Sequence, residues 1–459
     1  MRPWAPPGAS DLVGYRDHTP TFLEPTLSTP APTAAVVGAG IIGCSIALEL
    51  SRRGWDVTVV DKGSTPGCGS TSASSAMVRF NYDNLQEAVL AWESYARWVE
   101  WGKHLGVEDP AGLATYVRTG LLVLDGELLD RSLELGHMDT LGIPYESVTA
   151  AQIREQHPAL DPARIGPATR VEDEHFWDDP TGEIGGFVQH DSGFVNDATL
   201  AAHNLAYAAE QSGATFRWRS QVVEVLRDGN SVSGVRLAEG ANVNASVVVN
   251  AAGPWSVALN TMAGVLDDFS TSTRATEQEV ISVPAPAGFN LDDGGTGVHD
   301  PDFGTYFRPH PGGTIIVGSF EAPCDPLILV DDADDVRTSP SPENWEVQSL
   351  RLARRLPDLH VPGQKSGVVS AYDITDDWIP IYDKTSLGGY YVAIGTSGHQ
   401  FKAAPFVGVA MAELIGAVEG GHDHDSDPVV VRGKYTGVDL ELGFFSRRRE
   451  VHLHRQLVD

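Results

Sequence analysis

Three closely spaced glycines and a downstream aspartate are the first residues whose spacing indicates chemistry. Gly38, Gly40 and Gly43 form the pattern G-x-G-x-x-G, and Asp61 follows 18 residues after Gly43. In this pattern the first glycine allows a tight turn, the second lets a pyrophosphate approach the backbone, and the third lets a helix pack on a strand. A carboxylate at Asp61 can accept both ribose hydroxyls. The spacing predicts a dinucleotide site, and the acid argues against the 2′-phosphate of NADP.

The elements that would position these residues surround them in the sequence. We predict an apolar strand over 34–37, an amphipathic helix over 44–53 that ends at Gly54, and a second strand over 56–60. The amino end of such a helix attracts anions through its free N–H groups and its dipole. We therefore predict that the dinucleotide contacts Gly38, Gly40, Ile41, Ile42, Gly43, Asp61 and Lys62.

Three further segments have the composition of a cofactor site. Residues 69–79 place small hydroxyl side chains before Arg79, and such side chains let a backbone lie close to phosphate and ring atoms. Residues 247–256 read as an apolar strand that ends in small residues, where strand and cofactor can touch. Residues 391–405 read as a strand, a glycine-rich turn and the start of a helix over 407–418.

Together these segments resemble the D-amino-acid oxidase / sarcosine oxidase superfamily of FAD-dependent amine oxidoreductases, in its sarcosine oxidase and dimethylglycine dehydrogenase branch. The resemblance covers roughly residues 33–420 and rests on the G-x-G-x-x-G unit, the GSTS…SSA…R stretch, NAAGPWS and SGHQFK. It implies that FAD also contacts Ser70, Thr71, Ser72, Ser74, Ser75, Val223, Ala251, Ala252, Gly253, Trp255, Gly395, Gly398, His399, Gln400, Phe401 and Lys402.

The resemblance also implies the fold class, which is α/β. A Rossmann-like FAD-binding domain would be interleaved with an α+β substrate domain built on a large antiparallel sheet. We expect residues 1–32 to form an extended arm and 426–459 a C-terminal tail. We assign the FAD-binding domain to 33–105, 190–263 and 366–425, and the substrate domain to 106–189 and 264–365.

The activity that the resemblance implies is oxidation of the C–N bond of a secondary or tertiary, N-methylated amino acid. Hydride would pass to flavin N5, and the resulting imine would hydrolyse. Two alternatives stay open, because a fold does not fix a substrate. One is a D-amino-acid or glycerol-phosphate type dehydrogenase on the same fold, and the other is a non-catalytic flavoprotein subunit.

Five residues are candidates for the substrate site. By resemblance Arg79 pairs with the substrate carboxylate, which a guanidinium binds with two parallel hydrogen bonds. Lys402 matches a lysine that contacts the carboxylate or the flavin edge, and Tyr372 matches a pocket tyrosine. Tyr306 and Arg308 could line the roof, or they could be a core tyrosine and an edge arginine.

Departures from the family pattern bear on the flavin. Some relatives attach it covalently through a cysteine or a histidine, but Ser370 and Ala73 stand at the corresponding positions, so we predict noncovalent FAD. Where related oxidases place an oxygen-activating lysine, this chain has Ile316. Oxygen and a protein electron acceptor therefore both remain open as electron acceptors.

The composition excludes other functional classes. With 32 Lys and Arg against 62 Asp and Glu, the net charge of −30 disfavours nucleic acid and anionic lipid as partners. No apolar run reaches the roughly 18–20 residues of a membrane span. The 3 cysteines lack the paired spacing of a disulfide framework, and the first residues lack the pattern of a secretory signal peptide. Both observations favour a cytoplasmic protein. We predict no metal site, and we read the His-Asp-His-Asp sequence at 422–425 as a solvated loop.

Overall fold

The computed structural model describes residues 31–453. Within them the helices are α1 Ile41–Arg52, α2 Leu85–Val99, α3 Trp101–Leu105, α4 Arg131–Leu141, α5 Ala150–Gln156, α6 Ala198–Gln211, α7 Ser256–Ala263, α8 Pro342–Arg355 and α9 Ala404–Glu419. Short 3-10 turns cover Ser70–Ala73, Gly253–Trp255, Leu266–Asp268, Ala333–Asp335 and Leu442–Phe445.

The strands in the same range are β1 Thr33–Val37, β2 Asp56–Val60, β3 Met77–Val78, β4 Tyr116–Arg118, β5 Leu121–Leu124, β6 Glu146–Val148, β7 Ala163–Arg164, β8 Gly182–Glu183, β9 Gly186–Gln189, β10 Gly193–Val195, β11 Thr215–Arg217, β12 Val222–Asp228, β13 Ser231–Leu237, β14 Asn242–Asn244, β15 Val247–Asn250, β16 Thr273–Pro284, β17 Gly297–Asp300, β18 Thr305–His310, β19 Thr314–Ser319, β20 Ile328–Val330, β21 Gly367–Thr375, β22 Ile381–Lys384, β23 Tyr390–Ile394, β24 Val430–Arg432 and β25 Asp439–Glu441.

The parallel sheet has the strand order β11-β2-β1-β15-β23-β22, and only its edge strand β22 runs antiparallel. Its central strand β1 pairs with β2 and β15, so that Ala35 lies beside both Thr58 and Val248. The carboxyl ends of β1, β2, β15 and β23 therefore meet at one edge. This is the edge at which open parallel sheets bind ligands.

Both faces of the parallel sheet are covered. On one face α1, α6 and α9 bury an apolar core with α2, and on the other α7 and the β12-β13-β14 sheet bury a second core. Strands buried on both faces are expected to be continuously apolar, which accounts for the Ala-Ala-Val-Val and Val-Val-Val runs of β1 and β15.

The large sheet has the order β20-β16-β19-β18-β17-β5-β9-β6, and β21 also pairs with β16. All its neighbours are antiparallel except β5 and β17. Helix α8 covers one face, where Leu352 and Leu356 join Phe307 and Ile315 in a buried cluster. The predicted pair of a nucleotide-type α/β unit and a large antiparallel sheet is confirmed.

Several predicted boundaries differ from the structure. The three- and four-residue spacing of apolar residues over 83–105 predicts a single helix, but the structure has two, because the backbone leaves the helical conformation at Glu100 and α3 begins after it. The predicted segment 366–425 is divided between two sheets, since β21 pairs with β16 from Gly367 to Thr375. The division into an FAD-binding and a substrate domain stays a prediction. Of the predicted arm over 1–32, all but the last two residues lie outside the described range.

The described part of the predicted C-terminal tail is folded. Strands β24 and β25 pair, and Leu440, Leu442 and Phe445 are buried in the core beside α9. Between residues 31 and 453 no helix is both long and apolar enough to cross a membrane.

Arg447 fixes this C-terminal segment through buried ion pairs with Asp268, Asp383 and Asp425 at 2.7–2.9 Å. Arg447→Leu would leave the three carboxylates without their shared cation, and breaking a buried pair costs about 3–5 kcal/mol. We expect this loss in the free energy of unfolding measured by denaturant titration. Arg448→Leu is the matched control, because Arg448 pairs with two of the same acids from an exposed position and should cost at most about 1 kcal/mol. If both variants lost the same free energy of unfolding, the buried ion pairs of Arg447 would not be what fixes this segment.

Candidate active site

The glycine pattern lies where β1 meets α1 and makes close backbone contacts. Gly38 has φ +107°, and a Cβ there would stand 2.3 Å from the Ala251 carbonyl oxygen of the neighbouring strand β15. A Cβ on Gly43 would stand 1.9 Å from the Gly38 carbonyl oxygen. These two glycines are therefore required by packing of the chain on itself.

Gly40 serves a different purpose at the amino end of α1. Its φ is −69°, and a Cβ there would meet only the Thr71 Oγ1, at 3.3 Å. That hydroxyl accepts the Ile41 N–H at 3.1 Å, and the first turn of α1 contains no acidic residue. The amino end of the helix is thus free of competing negative charge and suited to a phosphate.

Asp61 is held at the carboxyl end of β2. Its carboxylate accepts the Ala39 and Gly63 N–H groups, each at 2.6 Å. The chain from β11 returns past it, since the Ser220 N–H donates to the Asp61 carbonyl at 2.9 Å. Three residues later Val223 is bulged out of the β12-β13 ladder, which leaves its backbone groups without ladder partners. The bulge at Val223 therefore follows closely after the segment that is hydrogen-bonded to Asp61.

The hydroxyl residues of the 69–79 loop mostly hold the loop in place. Ser70 Oγ donates to the Ala371 carbonyl at 2.7 Å, Ser72 Oγ donates to Gly69 at 2.8 Å, and Ser74 Oγ accepts the Ala76 N–H at 3.0 Å. The loop is thereby attached to β21 of the large sheet.

Lys62 and Trp255 share one partner. Lys62 Nζ pairs with the Asp334 carboxylate at 2.6 Å and lies 4.2 Å from the centre of the Trp255 ring. Trp255 Nε1 donates to the same carboxylate at 3.1 Å. The ring also lies over Gly69, whose Cβ would be 3.5 Å away. Lys62 is therefore engaged with protein groups at the rim of the cofactor region.

Two cations lie on the ring of Tyr82. The Arg79 guanidinium is 4.5 Å from the ring centre and donates to the Asn81 carbonyl. Lys402 Nζ donates to the Tyr82 hydroxyl at 2.9 Å and to the His399 carbonyl at 2.5 Å. Among residues 31–453 neither cation forms an ion pair, although Lys402 is only 5% exposed. Two adjacent cations without an anion suit an anionic ligand.

Burial and the charge of Arg79 hold the pKa of Lys402 well below its ordinary value, and the Glu87 carboxyl opposes this shift. Glu87 accepts the Gln400 Nε2 at 2.7 Å, and the Gln400 Oε1 accepts the Tyr382 hydroxyl at 3.2 Å. The Gln400 side chain, predicted to contact the cofactor, is therefore committed to protein partners.

Glu87→Gln should change the pH dependence of stability. Burial raises the pKa of Glu87 to about 7, whereas in the unfolded chain it titrates near its ordinary value of 4.5. The folded protein therefore binds more protons between those values, and stability falls as pH rises through this window. Without that ionisable group the variant should gain up to about 3 kcal/mol on wild type between pH 5 and 8. The prediction would be contradicted if the difference in unfolding free energy between Glu87→Gln and wild type were the same at every pH, whatever its size.

The turn after β23 is fastened to β21 of the large sheet. The Ser397 N–H donates to the Asp373 carbonyl at 2.8 Å, and the Thr396 hydroxyl donates to the Asp373 carboxylate at 2.5 Å. Gly398 has φ +69°, and a Cβ there would stand 2.1 Å from the Tyr372 ring. The turn and the pocket tyrosine predicted from sequence are thus in direct contact.

Tyr306 stands beside Tyr372. The two hydroxyls interact, Tyr306 also interacts with the Ser75 side chain, and burial raises the pKa of both phenols. Across the ladder from Tyr306 lies Gly318, where a Cβ would stand 2.4 Å from its ring. The large sheet therefore presents two tyrosines toward the 69–79 loop and the 395–398 turn.

Arg308 is pinned to the backbone rather than open to a ligand. Its guanidinium donates to the Ser75 carbonyl at 2.7 and 3.0 Å and to the Pro309 carbonyl at 3.0 Å, and it stacks 3.8 Å from the Phe194 ring. Burial lowers its pKa to about 9. The structure favours the alternative of a structural arginine over a substrate-contacting one.

The remaining turn residues lie in the protein interior or at its edge. Phe401 stacks on Trp98 at 5.4 Å, and the His399 ring lies 5.7 Å from Trp378. The 422–425 loop is not simply solvated, which corrects the prediction: His424 is buried and accepts the Val429 N–H, while Asp425 pairs with Arg447. No cluster of metal-ligating side chains occurs within residues 31–453.

Sequence reasoning missed three residues of this site. Tyr82 and Glu87 lie just after Arg79 but match no motif, and only the tertiary structure brings them to Lys402. His299 faces the two cations from β17, and its pKa is lowered by burial and by the charges of Arg79 and Lys402. The short loop over residues 301–304 between β17 and β18 is the sequence signal that could have indicated this hairpin, which sets His299 beside Tyr306.

Comparison with known proteins decides the family. Residues 33–414 match the family described as "DAO: FAD dependent oxidoreductase". The chain belongs to this family. The DAO match spans both sheets, so the glycine turn, the Asp61 carboxylate and the Arg79–Lys402 pair all lie inside it.

Individual relatives are distant and differ in length. The chain is 25% identical over 420 residues to the mitochondrial pyruvate dehydrogenase phosphatase regulatory subunit of Mus musculus, which covers 89% of this chain but 44% of that protein. It is 26% identical over 393 residues to glycine oxidase of Geobacillus kaustophilus, covering 83% of this chain and 92% of the relative. The structure of L-proline dehydrogenase from P. horikoshii superposes with a TM-score of 0.70, at 22% identity, over 91% of this chain and 97% of that one.

The residues present fit the FAD that the DAO family uses. A Cβ on Gly40 would enter the space at the amino end of α1, so this glycine keeps a cradle open for phosphate. Asp61 is suited to the ribose, and the bulged edge at Val223 leaves backbone donors and acceptors for the adenine. Among the residues predicted to contact FAD, the Gln400 and Phe401 side chains point to protein partners instead.

Proposed function

We propose that this DAO-family enzyme oxidises the C–N bond of a secondary or tertiary, N-methylated amino acid. One observation carries the proposal: Arg79 and Lys402 converge on Tyr82 with no ion-pair partner in the described chain. Such a pair binds a carboxylate by charge-assisted hydrogen bonds. The position of the pair beside the turn at Gly398 supports a substrate carboxylate held next to the flavin.

The chain's own groups bind and orient the substrate. Arg79 and Lys402 would hold the carboxylate, and Tyr306 and Tyr372 would close the pocket from the large sheet and exclude water. When bound, FAD supplies the two-electron chemistry. The protein binds the cofactor, orients the substrate against it and tunes its electrostatic surroundings. Burial also strengthens the electrostatic attraction between these side chains and a bound carboxylate, because low-dielectric surroundings screen the attraction less.

The name of one relative supports this substrate class. This relative is 4-methylaminobutanoate oxidase (formaldehyde-forming) of Paenarthrobacter nicotinovorans, 25% identical over 465 residues; the match covers 97% of this chain and 51% of that protein. Its substrate carries both an N-methyl group and a carboxylate. This chain spans only about half the length of such relatives. The activity of the whole protein is therefore part of the proposal.

We further propose noncovalent FAD and an electron acceptor other than oxygen. Ser370 and Ala73 offer no sulfur or imidazole for a covalent link. On β19 the apolar Ile316 lies directly across from Arg308, on the sheet face toward the 69–79 loop. A free cation at this point would favour oxygen reduction, but Ile316 contributes none and the Arg308 guanidinium is committed to the Ser75 and Pro309 carbonyl groups.

Anaerobic addition of substrates to the yellow holoenzyme tests the proposal. N-Methyl amino acids should bleach the flavin absorbance, whereas glycerol 3-phosphate and amines without a carboxylate should not. Readmitted air should restore the colour slowly, and an artificial electron acceptor should restore it quickly. Bleaching by glycerol phosphate alone, or by no amino acid, would overturn the proposal.

A further inference from the structure

His299 is a buried histidine near Arg79 and Lys402 whose side chain the mechanism has not used. It lies on β17 and is 4% exposed, and its Nδ1 has no hydrogen-bond partner among residues 31–453. A buried polar atom left unpaired destabilises the folded state. Such an atom in a native structure calls for a ligand or a function.

The sheet register places His299 on the substrate face. It lies directly opposite Tyr306 in the β17-β18 ladder, with ring centres 6.2 Å apart, and Phe320 packs on it at 5.3 Å. Directly opposite residues share a face of the sheet. His299 therefore faces the same space as Tyr306, toward Arg79 and Lys402.

The electrostatic surroundings determine the form of the ring. Burial and the charges of Arg79 and Lys402 hold the pKa of His299 well below its ordinary value, and no carboxylate opposes them. The imidazole is therefore neutral at neutral pH and keeps one nitrogen as an acceptor. Facing it, Tyr306 is the titratable group on the neighbouring strand, and Arg79 and Lys402 are the charged groups on the adjoining elements.

We propose that His299 accepts a hydrogen bond from the amino nitrogen of the substrate and so selects secondary over tertiary amino acids. This inference rests on the proposed function and narrows it. The carboxylate at Arg79 and Lys402 would place the neighbouring nitrogen at His299. Oxidation requires a neutral amine with a free lone pair. In that form a secondary amine still has an N–H to donate, and a tertiary amine has none.

Two unreactive acids isolate this hydrogen bond. Pyrrole-2-carboxylate and furan-2-carboxylate have nearly the same shape, but one carries a ring N–H where the other carries an oxygen. Titrations followed by the flavin spectrum of the holoenzyme should give a Kd about tenfold lower for the pyrrole acid. His299→Phe should abolish that preference with little effect on the furan acid. His299→Asn, which retains an acceptor, should restore part of it, and His190→Phe, at an exposed histidine, should change nothing.

Turnover provides a second readout. N-Methylglycine should reduce the wild-type flavin at least tenfold more efficiently than N,N-dimethylglycine. Equal Kd values for the two ring acids in wild type, no binding of either, or equal reduction by the two amines would each overturn the inference. Failure of the proposed function is separate: it would show as no bleaching by any amino acid, while the ratio of the two ring-acid Kd values reports on the hydrogen bond at His299.

Discussion

Lys402→Met should slow the anaerobic reduction of the flavin by an N-methyl amino acid about 100-fold or more. The substitution keeps the volume of the side chain but removes the ammonium that donates to the Tyr82 hydroxyl and the His399 carbonyl. A preorganised cation in a buried site is worth far more than one in water, and loss of one such donor typically costs 10²–10³-fold in rate. Stopped-flow recording of flavin bleaching gives the limiting rate and the substrate Kd separately.

The control for this variant is Lys103→Met. Lys103 is exposed and pairs with Glu100 at the surface, so its replacement should leave both constants unchanged. If the limiting rate of Lys402→Met is within threefold of the wild-type rate, Lys402 does not contribute to flavin reduction and its role is structural.

Gly40→Val should yield a folded protein that binds FAD about 100-fold more weakly than wild type. Gly40 has an ordinary φ, and the atom that a Cβ there would approach, at 3.3 Å, is the Thr71 Oγ1 of a side chain rather than backbone, so we expect the fold to accept a side chain there. The same side chain would block the approach of the pyrophosphate to the first-turn N–H groups, and charge-assisted hydrogen bonds contribute about 1.5–3 kcal/mol each. Titration of the apoprotein with FAD, followed by flavin fluorescence, measures the loss.

Two other glycines separate cofactor binding from folding. Gly416→Ala in α9 should leave the FAD affinity unchanged, because within residues 31–453 the new Cβ meets no atom within 4 Å apart from its chain neighbours and its own helix backbone. Gly38→Ala should instead destabilise the fold, because of its φ of +107° and the 2.3 Å approach to Ala251. Wild-type FAD affinity in Gly40→Val would show that the dinucleotide does not lie at the amino end of α1.

The parts of the molecule predictable from sequence are those whose signals are local. The β1-α1-β2 unit was predictable because the glycines, the helix and Asp61 follow one another within 28 residues, and each has a separate physical requirement. The break at Glu100 was not, because the periodic apolar pattern continues through it. The buried position of His424 depends on Asp383 and Arg447, which are distant in sequence.

The candidate site divides in the same way. Arg79, Lys402 and Tyr372 stand in motifs. The structure brings Arg79 and Lys402 to Tyr82 and sets Tyr372 beside Tyr306, and His299 lies near both groups. Arg308 has the residue type of a substrate ligand, yet its donors go to the carbonyl groups of Ser75 and Pro309. Residue type alone cannot distinguish an arginine that binds a ligand from one that supports a loop, because the distinction lies in long-range pairing.

The account depends on Arg79 and Lys402 binding one carboxylate together, and a double-mutant cycle on furan-2-carboxylate tests this directly. The Kd would be measured from the flavin spectrum of wild type, Arg79→Met, Lys402→Met and the double variant. We expect each single change to raise the Kd at least tenfold, and the two effects to be non-additive by 0.5 kcal/mol or more, as groups that share a partner are. Single variants within twofold of wild type, or strictly additive effects, would contradict a shared carboxylate site.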